Sequence, residues 1–228
     1  MKLEDKLNIF QKGKLYPILD FDFCKSQNIQ MLNLIELWEK YSDCISFFQL
    51  RAKSLSVQEY EKLYSQILRE FPNSKIVIND FWKFGLELNA FGIHIGKEDY
   101  SELSVQEKEE IRMDKNVLKG TSSHSIDDLK NLEEGLWNYT GLGPIFETTS
   151  KKTNHPVLGT EIIKDAISIS KIQIVPIGGI NLENFISLFG YGKILPASIS
   201  MMTYEKSLVK IVDFIRNYLK SVRESQSV

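Results

Sequence analysis

The chain has 228 residues, of which 43% are hydrophobic and 25% are charged, so it can bury a full core and is not a disordered polymer. Its 28 Lys and Arg residues and 30 Asp and Glu residues give a net charge of -2, which argues against a generally basic nucleic-acid-binding protein. No apolar run approaches the roughly 20 residues of a membrane span, and the polar N-terminus does not resemble a signal peptide. Cys24 and Cys44 form neither a disulfide framework nor a zinc-binding pattern, so we expect two free thiols in a cytoplasmic protein.

Short β-rich segments alternate with segments of helical periodicity along the whole chain. Eight strands are predicted, over residues 16–20, 45–51, 75–79, 92–95, 116–120, 137–141, 173–177 and 193–199. Helical periodicity is clearest over residues 29–40, over 56–70 with Ser56 as the N-cap, and over 205–222. About eight such alternations predict a parallel sheet with crossover helices, and the chain length favours a compact (β/α)8 TIM barrel. An open doubly wound sheet is the structural alternative.

The two ends of the chain lie outside this pattern. Residues 1–14 form an N-terminal extension, which is either a helix that closes the bottom of the barrel or a loose arm. Residues 223–228 are predicted to be a flexible tail. Because no Pro-, Gly- or Ser-rich linker divides the sequence, residues 1–228 are interpreted as one domain.

The second predicted strand ends in an unusually polar segment. Side chains alternate along a strand, so Gln49, Arg51 and Lys53 share one face, and Leu50 and Ala52 share the other. The apolar pair belongs on the outside of the barrel, against helices, which directs the polar side chains to the barrel mouth. Two cations there are costly unless an anion meets them, so an anion site is favoured over a solvated strand end.

The third and fourth strands also end in polar side chains. The third strand ends in Asn79 and Asp80, while the fourth contains His94, and Asp99 lies shortly after it. Turn formation, helix capping and a structural histidine are the alternatives. Two carboxylates after adjacent strands could instead share a Mg²⁺ ion, which prefers oxygen ligands and substrate phosphates. Next to the cations of the second strand, they indicate a diphosphate–Mg²⁺ site.

The fifth strand leads into Ser122, His124 and Ser125. Strand spacing places Ser122 and His124 on one face, whereas Ser125 suits the N-cap of the next helix. A Ser–His hydrolase is not favoured, because the sequence has no nucleophile-elbow pattern and no obvious third residue to orient the histidine.

A long loop over residues 141–152 follows the sixth strand. It combines glycines, hydroxyl side chains and lysines, among them Lys151, and this composition suits a lid that binds phosphate. The alternative is a merely solvated loop.

The seventh and eighth strands predict a second anion site. Gly178 and Gly179 at a strand end would let the backbone approach a ligand closely, and Asn181 is a candidate N-cap for the next helix. Ile199 and Ser200 follow the eighth strand. In barrels of this kind the loops after strands seven and eight often bind a phosphate through backbone N–H groups.

Six short motifs in order carry a resemblance to a known family. They are QLRAK at 49–53, IND at 78–80, GIHIGKED at 92–99, GTSSHS at 120–125, GLGPIF at 141–146 and PIGGINLEN at 176–184. With them the chain resembles thiamine phosphate synthase, a family related to thiazole tautomerase, from about Leu15 to the last helix. The resemblance implies a (β/α)8 barrel enzyme, a transferase that joins hydroxymethylpyrimidine diphosphate to thiazole phosphate, giving thiamine monophosphate and diphosphate.

The resemblance also implies roles for individual residues and a Mg²⁺ cofactor. The implied contacts with the pyrimidine diphosphate are Gln49, Arg51, Lys53, Asn79, His94, Ser122 and Lys151. Among these, Arg51, Lys53, Ser122 and Lys151 are the expected catalytic residues, and Asp80 and Asp99 would hold Mg²⁺. The implied contacts with the thiazole phosphate are Thr148, Thr149, Ser150, Gly179, Ile199 and Ser200.

The chain departs from the family pattern in three places. Ser150 stands where the family often has Thr, and Glu147 follows GPIF where the synthases commonly have Pro. Residues 191–198 differ most, with Pro196 inside the expected last strand, where it would remove a ladder hydrogen bond.

Two other functions are alternatives to the synthase. The related thiazole tautomerase would use His124 as its catalytic histidine, but the tautomerases tend to lose the diphosphate and Mg²⁺ residues, which are present here. The second alternative is a non-catalytic barrel that binds thiamine phosphates without turnover. It is motivated by the departure of residues 191–198 from the family pattern. The expected partners are small-molecule substrates, without nucleic acid or membrane, and the sequence leaves a homo-oligomer open.

Overall fold

The computed structural model describes residues 1–148, 155–192 and 194–225, and its centre is a barrel of eight parallel strands. The strands are β1 Tyr16–Asp20, β2 Phe48–Arg51, β3 Ile76–Asn79, β4 Gly92–His94, β5 Leu118–Ser123, β6 Tyr139–Leu142, β7 Gln173–Pro176 and β8 Ala197–Ser198. They neighbour one another in the order β7-β6-β5-β4-β3-β2-β1-β8. A parallel bridge between Ile177 and Ala197 then closes the sheet between β7 and β8. The predicted (β/α)8 barrel is therefore confirmed, and the open sheet is not formed.

Helices surround the strands and connect them. They are α1 Leu3–Lys12, α2 Phe21–Ser26, α3 Met31–Glu39, α4 Val57–Glu70, α5 Trp82–Glu87, α6 Lys97–Ser101, α7 Val105–Met113, α8 Ile126–Lys130, α9 Glu161–Ile169 and α10 Glu205–Ser225, with a 3₁₀ helix over Phe185–Tyr191. Ser56 caps α4 as predicted, because its hydroxyl accepts the Glu59 N–H and the Glu59 carboxylate accepts the Ser56 N–H. Ser125 caps α8 as predicted, because its hydroxyl accepts the Asp128 N–H. The last helix runs to Ser225, into the segment predicted as a tail, and residues 226–228 lie outside the described residues.

Strand bounds differ most from the prediction at β8, which has two residues instead of seven. Pro196 lies just before this strand rather than inside it, so the ladder does not need the N–H that proline lacks. Its carbonyl oxygen accepts the Tyr16 N–H at 3.0 Å and continues the contact with β1. The predicted start at Lys193 lies outside the described residues. The other shifts are smaller, with β2 beginning at Phe48 and β5 extending to Ser123.

The N-terminal extension contains a helix that covers the bottom of the barrel. Phe10 of α1 is 1% exposed, and its ring centroid lies 4.8 Å from Phe47 and 4.5 Å from Tyr139 inside the barrel. Lys6 is also buried, and its ammonium donates to the Ala90 carbonyl at 2.5 Å and to Asn89 Oδ1 at 3.2 Å. A loose arm would leave these aromatic rings exposed to water, so α1 completes the core.

Alternation along the strands separates two cores, as predicted for β2. Leu50 and Ala52 are buried in the outer core between sheet and helices, whereas Val77, Leu118 and Val175 belong to the core inside the barrel. In the described part of the chain, no helix is long and apolar enough to cross a membrane.

Candidate functional site

The carboxyl ends of β1 and β2 place an acidic side chain beside a predicted anion-binding arginine. Arg51 Nη1 donates to Asp20 Oδ2, and the other oxygen of Asp20 accepts the Phe23 N–H at 2.8 Å as the N-cap of α2. Asp20 is 3% exposed and Arg51 is 14% exposed. This part-buried ion pair fixes the guanidinium at the barrel mouth.

Lys53 joins the two carboxylates that were predicted to bind a metal. Its ammonium lies 3.4 Å from Asp80 Oδ2 and 3.6 Å from Asp99 Oδ2. Burial raises the pKa of Asp80 from its usual range, an effect that the charge of Lys53 opposes and that of Asp99 adds to. The carboxylates of Asp80 and Asp99 thus both lie close to the position of the Lys53 ammonium. Two carboxylates near one point fit a hard divalent ion.

Asn79 supplies an unsatisfied hydrogen-bond donor at the end of β3. It is 5% exposed, and its Nδ2 has no hydrogen-bond partner among the described residues. A buried amide without a partner is costly, so this group is suited to an acceptor on a ligand.

A chain of hydrogen bonds crosses the barrel interior below the mouth. Gln49 Nε2 donates to the Tyr16 hydroxyl at 3.1 Å, and the Tyr16 and Tyr139 hydroxyls are 2.8 Å apart. His94 continues the chain, with Nδ1 at 3.2 Å from the Tyr139 hydroxyl and Nε2 at 3.1 Å from Ser122 Oγ. Burial raises the pKa of both tyrosines, so both hydroxyls keep their protons. These hydrogen bonds orient Gln49, His94 and Ser122, three of the side chains predicted to contact the pyrimidine.

A cavity of about 110 Å³ opens on the other side of the mouth, next to β5–β8. Its lining includes five of the predicted site residues, namely Ser122, Thr148, Gly179, Ile199 and Ser200, together with His124. Ser122 therefore lies between the predicted diphosphate side and this cavity.

The paired glycines after β7 leave room for the loop after β6 to pack closely against them. Gly179 has a φ of +66°, and a Cβ there would lie 2.2 Å from the Glu147 carbonyl oxygen. Gly178 packs against Pro144 in the same way, since a Cβ on Gly178 would lie 2.6 Å from the Pro144 Cα. The glycines thus let the loop after β6 pack onto the loop after β7, and both loops form the cavity wall.

Comparison with known proteins identifies the family. A family model described as thiamine monophosphate synthase matches residues 15–201. The chain belongs to this family. A thiamine-phosphate synthase of Bacillus anthracis (strain A0248) is 32% identical, over 90% of this chain and 94% of the relative. A thiamine-phosphate synthase of Dictyoglomus thermophilum is 27% identical, over 95% of this chain and 98% of the relative. A solved structure of thiamine phosphate pyrophosphorylase from Pyrococcus furiosus, 23% identical, shares the fold with a TM-score of 0.69 over 90% of this chain and 98% of that one.

Membership of the thiamine monophosphate synthase family confirms the resemblance seen in the sequence and the predicted enzyme class, a transferase. The synthases among the relatives do not favour the tautomerase or the non-catalytic binder. The roles of individual residues remain predictions. Of these residues, Thr149, Ser150 and Lys151 lie outside the described residues.

One expected helix cap is wrong. Asn181 does not cap the next helix, because the 3₁₀ helix begins at Phe185 with Asn184 in the N-cap position. The Asn181 side chain instead accepts the backbone N–H groups of Glu183 and Asn184, at 2.8 and 3.1 Å, and closes the turn before that helix.

Several residues of the mouth and of the barrel interior below it were not predicted from the sequence. Alternation along β1 could have found Tyr16 and Asp20, which lie on the same face of the strand. Tyr139 is the first residue of β6, and the same alternation places it on one face with Gly141. No sequence signal marks His155, which stacks on His124 with ring centroids 3.6 Å apart, near Glu98.

Proposed function

We propose that this chain condenses hydroxymethylpyrimidine diphosphate with thiazole phosphate, releasing diphosphate and forming thiamine monophosphate. The observation that carries the proposal is the position of Ser122. It contacts His94 on the side of the mouth where Arg51 and Lys53 lie, and it also lines the cavity formed with Thr148. Two substrates bound on the two sides would meet at this residue.

Arg51, Lys53 and Asn79 would bind the diphosphate. Arg51 is held by Asp20, Asn79 has an unused donor, and Lys53 lies where the carboxylates Asp80 and Asp99 converge. Asp80 and Asp99 would hold Mg²⁺ through their carboxylate oxygens, the ligand type that this ion prefers. When bound, the ion supplies charge neutralisation of the diphosphate.

The bond to the diphosphate breaks first, and the leaving group takes the electron pair. Arg51, Lys53 and Lys151 would stabilise the charge that develops on the leaving oxygen. The electron-rich aminopyrimidine stabilises the cation that remains, while Gln49 and His94 hold the ring in place. The thiazole nitrogen then donates its lone pair to form the new C–N bond, so no strong general base is needed and alignment is the main requirement.

The thiazole phosphate would bind in the cavity beside β7 and β8. Gly179, Ile199 and Ser200 lie at the carboxyl ends of these strands, where backbone N–H groups can bind an anion. Thr148 lines the same cavity, and Thr149 and Ser150 follow it in the sequence. Both substrates are small molecules, and the buried free thiols of Cys24 and Cys44 support a cytoplasmic location.

A turnover assay tests the proposal. Purified protein is given both substrates and Mg²⁺, with a parallel sample containing EDTA, and thiamine monophosphate is measured as fluorescent thiochrome after oxidation. Product that depends on Mg²⁺ is expected. Folded protein that forms no product under these conditions would contradict the proposed reaction, and binding of thiamine monophosphate without turnover would support the non-catalytic barrel instead.

A further inference from the structure

Three potential metal ligands meet at the rim of the barrel mouth. They are Glu98 in α6, His124 directly after β5, and His155 in the segment that leads to α9. In the part of the chain that the structure describes, the ligand atoms of these side chains all lie within 4.8 Å of one another. Glu98 Oε1 and His155 Nε2 are 3.9 Å apart.

His124 is already oriented as a metal ligand. Its Nδ1 lies 2.6 Å from the Gly143 carbonyl oxygen, which can only accept, so the proton is on Nδ1 and the lone pair is on Nε2. The backbone is fixed as well, since the His124 N–H donates to Asp128 Oδ2 at 2.7 Å. Metal-binding histidines commonly use their second nitrogen in this way, which fixes the tautomer and the ring orientation.

We propose that Glu98, His124 and His155 form a binding site for a transition metal of the Zn²⁺ class, separate from the Mg²⁺ site predicted at Asp80 and Asp99. Two imidazoles and one carboxylate are a known Zn²⁺ ligand set, whereas Mg²⁺ prefers oxygen ligands alone. The ligand chemistry of the two sites therefore differs, although Glu98 and Asp99 are adjacent in sequence.

Binding requires one movement, a rotation of the His155 ring. The two rings are parallel, with an interplanar angle of 8°, so an ion in the plane of His124 would lie outside the plane of His155. The His155 side chain is 38% exposed, and rotation about its side-chain bonds can bring its lone pair toward the ion. The fourth position of a tetrahedral ion would then be taken by water or by a group in the adjacent cavity. Such an ion would link the loops after β4, β5 and β6.

Co²⁺ absorption of the full chain tests the site without relying on catalysis. With Mg²⁺ in excess, we expect one equivalent of Co²⁺ to give the intense visible bands of a tetrahedral complex. Removing a ligand should cost at least as much as losing a second-sphere partner, so His155→Ala and Glu98→Gln should each weaken binding about 10-fold or more. Glu102→Gln, at an exposed glutamate that ends the same helix, should leave the bands unchanged. Weak octahedral bands in the parent chain, or unchanged affinity in both ligand variants, would overturn the proposal.

A Zn²⁺ titration followed by NMR assigns the ligands directly. The sequence has 3 histidines, so only three sets of ring signals need to be assigned. Zn²⁺ should shift the ring signals of His124 and His155 and leave those of His94, which serves as an internal control. Shifts of His94 alone, or of no histidine, would overturn the assignment. Because neither readout involves turnover, this site and the proposed synthase activity can fail independently.

Discussion

The carboxylate of Asp20 binds both Arg51 and the start of α2. One oxygen accepts from Arg51 Nη1 and the other accepts the Phe23 N–H at 2.8 Å, while Asp20 itself is 3% exposed. Because β1 and β2 are paired with Asp20 opposite Arg51, the sheet register itself brings the two charges together. The guanidinium is thereby positioned before a substrate arrives, which reduces the cost of ordering it on binding.

Asp20→Asn should weaken the diphosphate side of the site and leave the helix cap intact. Asparagine still accepts the Phe23 N–H, but it carries no charge to hold Arg51. A hydrogen bond to a charged group is worth about 1.5–3 kcal/mol, so kcat/KM should fall about 10-fold or more, mainly through a higher KM for the pyrimidine diphosphate. Steady-state kinetics checks this. Asp22→Asn is the control, since among the described residues the Asp22 carboxylate accepts only the exposed Ser54 N–H, at 3.4 Å. Equal KM values for the two variants would contradict a positioning role for Asp20.

Asp99→Asn should raise the Mg²⁺ concentration needed for turnover. An amide is a weaker ligand than a carboxylate, and Asp99 is one of two carboxylates near Lys53. We expect the Mg²⁺ concentration at half-maximal rate to rise about 10-fold, in the range seen when a metal site loses one supporting group. Mg²⁺ titration of the rate measures this, and Glu102→Gln is the control on the same helix. An unchanged titration curve would remove Asp99 from the metal site.

Gly179→Ala should affect the thiazole phosphate more than the pyrimidine diphosphate. The residue has a φ of +66°, and a Cβ would collide with the Glu147 carbonyl oxygen, so the cavity wall must move. The KM for thiazole phosphate should rise several-fold while the KM for the pyrimidine diphosphate changes little.

Gly190→Ala provides the matched control, because a Cβ at Gly190 would have no atom of the described residues within 4 Å. It should have kinetics close to those of the parent chain. If Gly179→Ala raised both KM values equally, the loops after β6 and β7 would not be specific to the thiazole phosphate.

The ion pair between Asp43 and Arg216 should give a pH-dependent contribution to stability. Arg216 Nε and Nη2 each donate to the Asp43 carboxylate at 2.9 Å, and these bonds lower the pKa of Asp43 below its ordinary value of 3.8. The stabilisation is therefore complete above pH 3.8 and is lost as the pH falls through the lower pKa of the folded state. Both side chains are about half exposed, so the pair is worth about 0.2–1 kcal/mol.

Urea unfolding of Asp43→Asn at several pH values measures this contribution. The variant should be less stable than the parent chain at pH 7, and the difference should shrink as the pH falls below 3.8. Asp165→Asn, at an exposed carboxylate on α9, is the control. A difference that stayed constant with pH would show that the ionised pair is not its source.

Much of the fold follows from local sequence patterns. The strand and helix alternation predicted the barrel, and the Ser56 and Ser125 caps were predicted from the residues that begin α4 and α8. Because parallel strands all end on one side of a barrel, the polar residues after β2, β3, β4 and β5 could be placed at one mouth without coordinates. The short β8 was not predicted, because its extent depends on pairing with β1 and β7 rather than on its own residues.

The contacts between side chains in the mouth and in the barrel interior were decided only by the tertiary structure. Tyr16 and Tyr139 share a hydrogen bond across 123 residues of sequence, and His124 stacks on His155 across the loop after β6. Side-chain alternation fixes which face a residue occupies, and this depends on its neighbours in the chain. The residue that it meets on that face depends on strand register, barrel closure and loop conformation. These are set by packing between distant segments, so the sequence determined the set of polar residues at the mouth and the fold determined their partners.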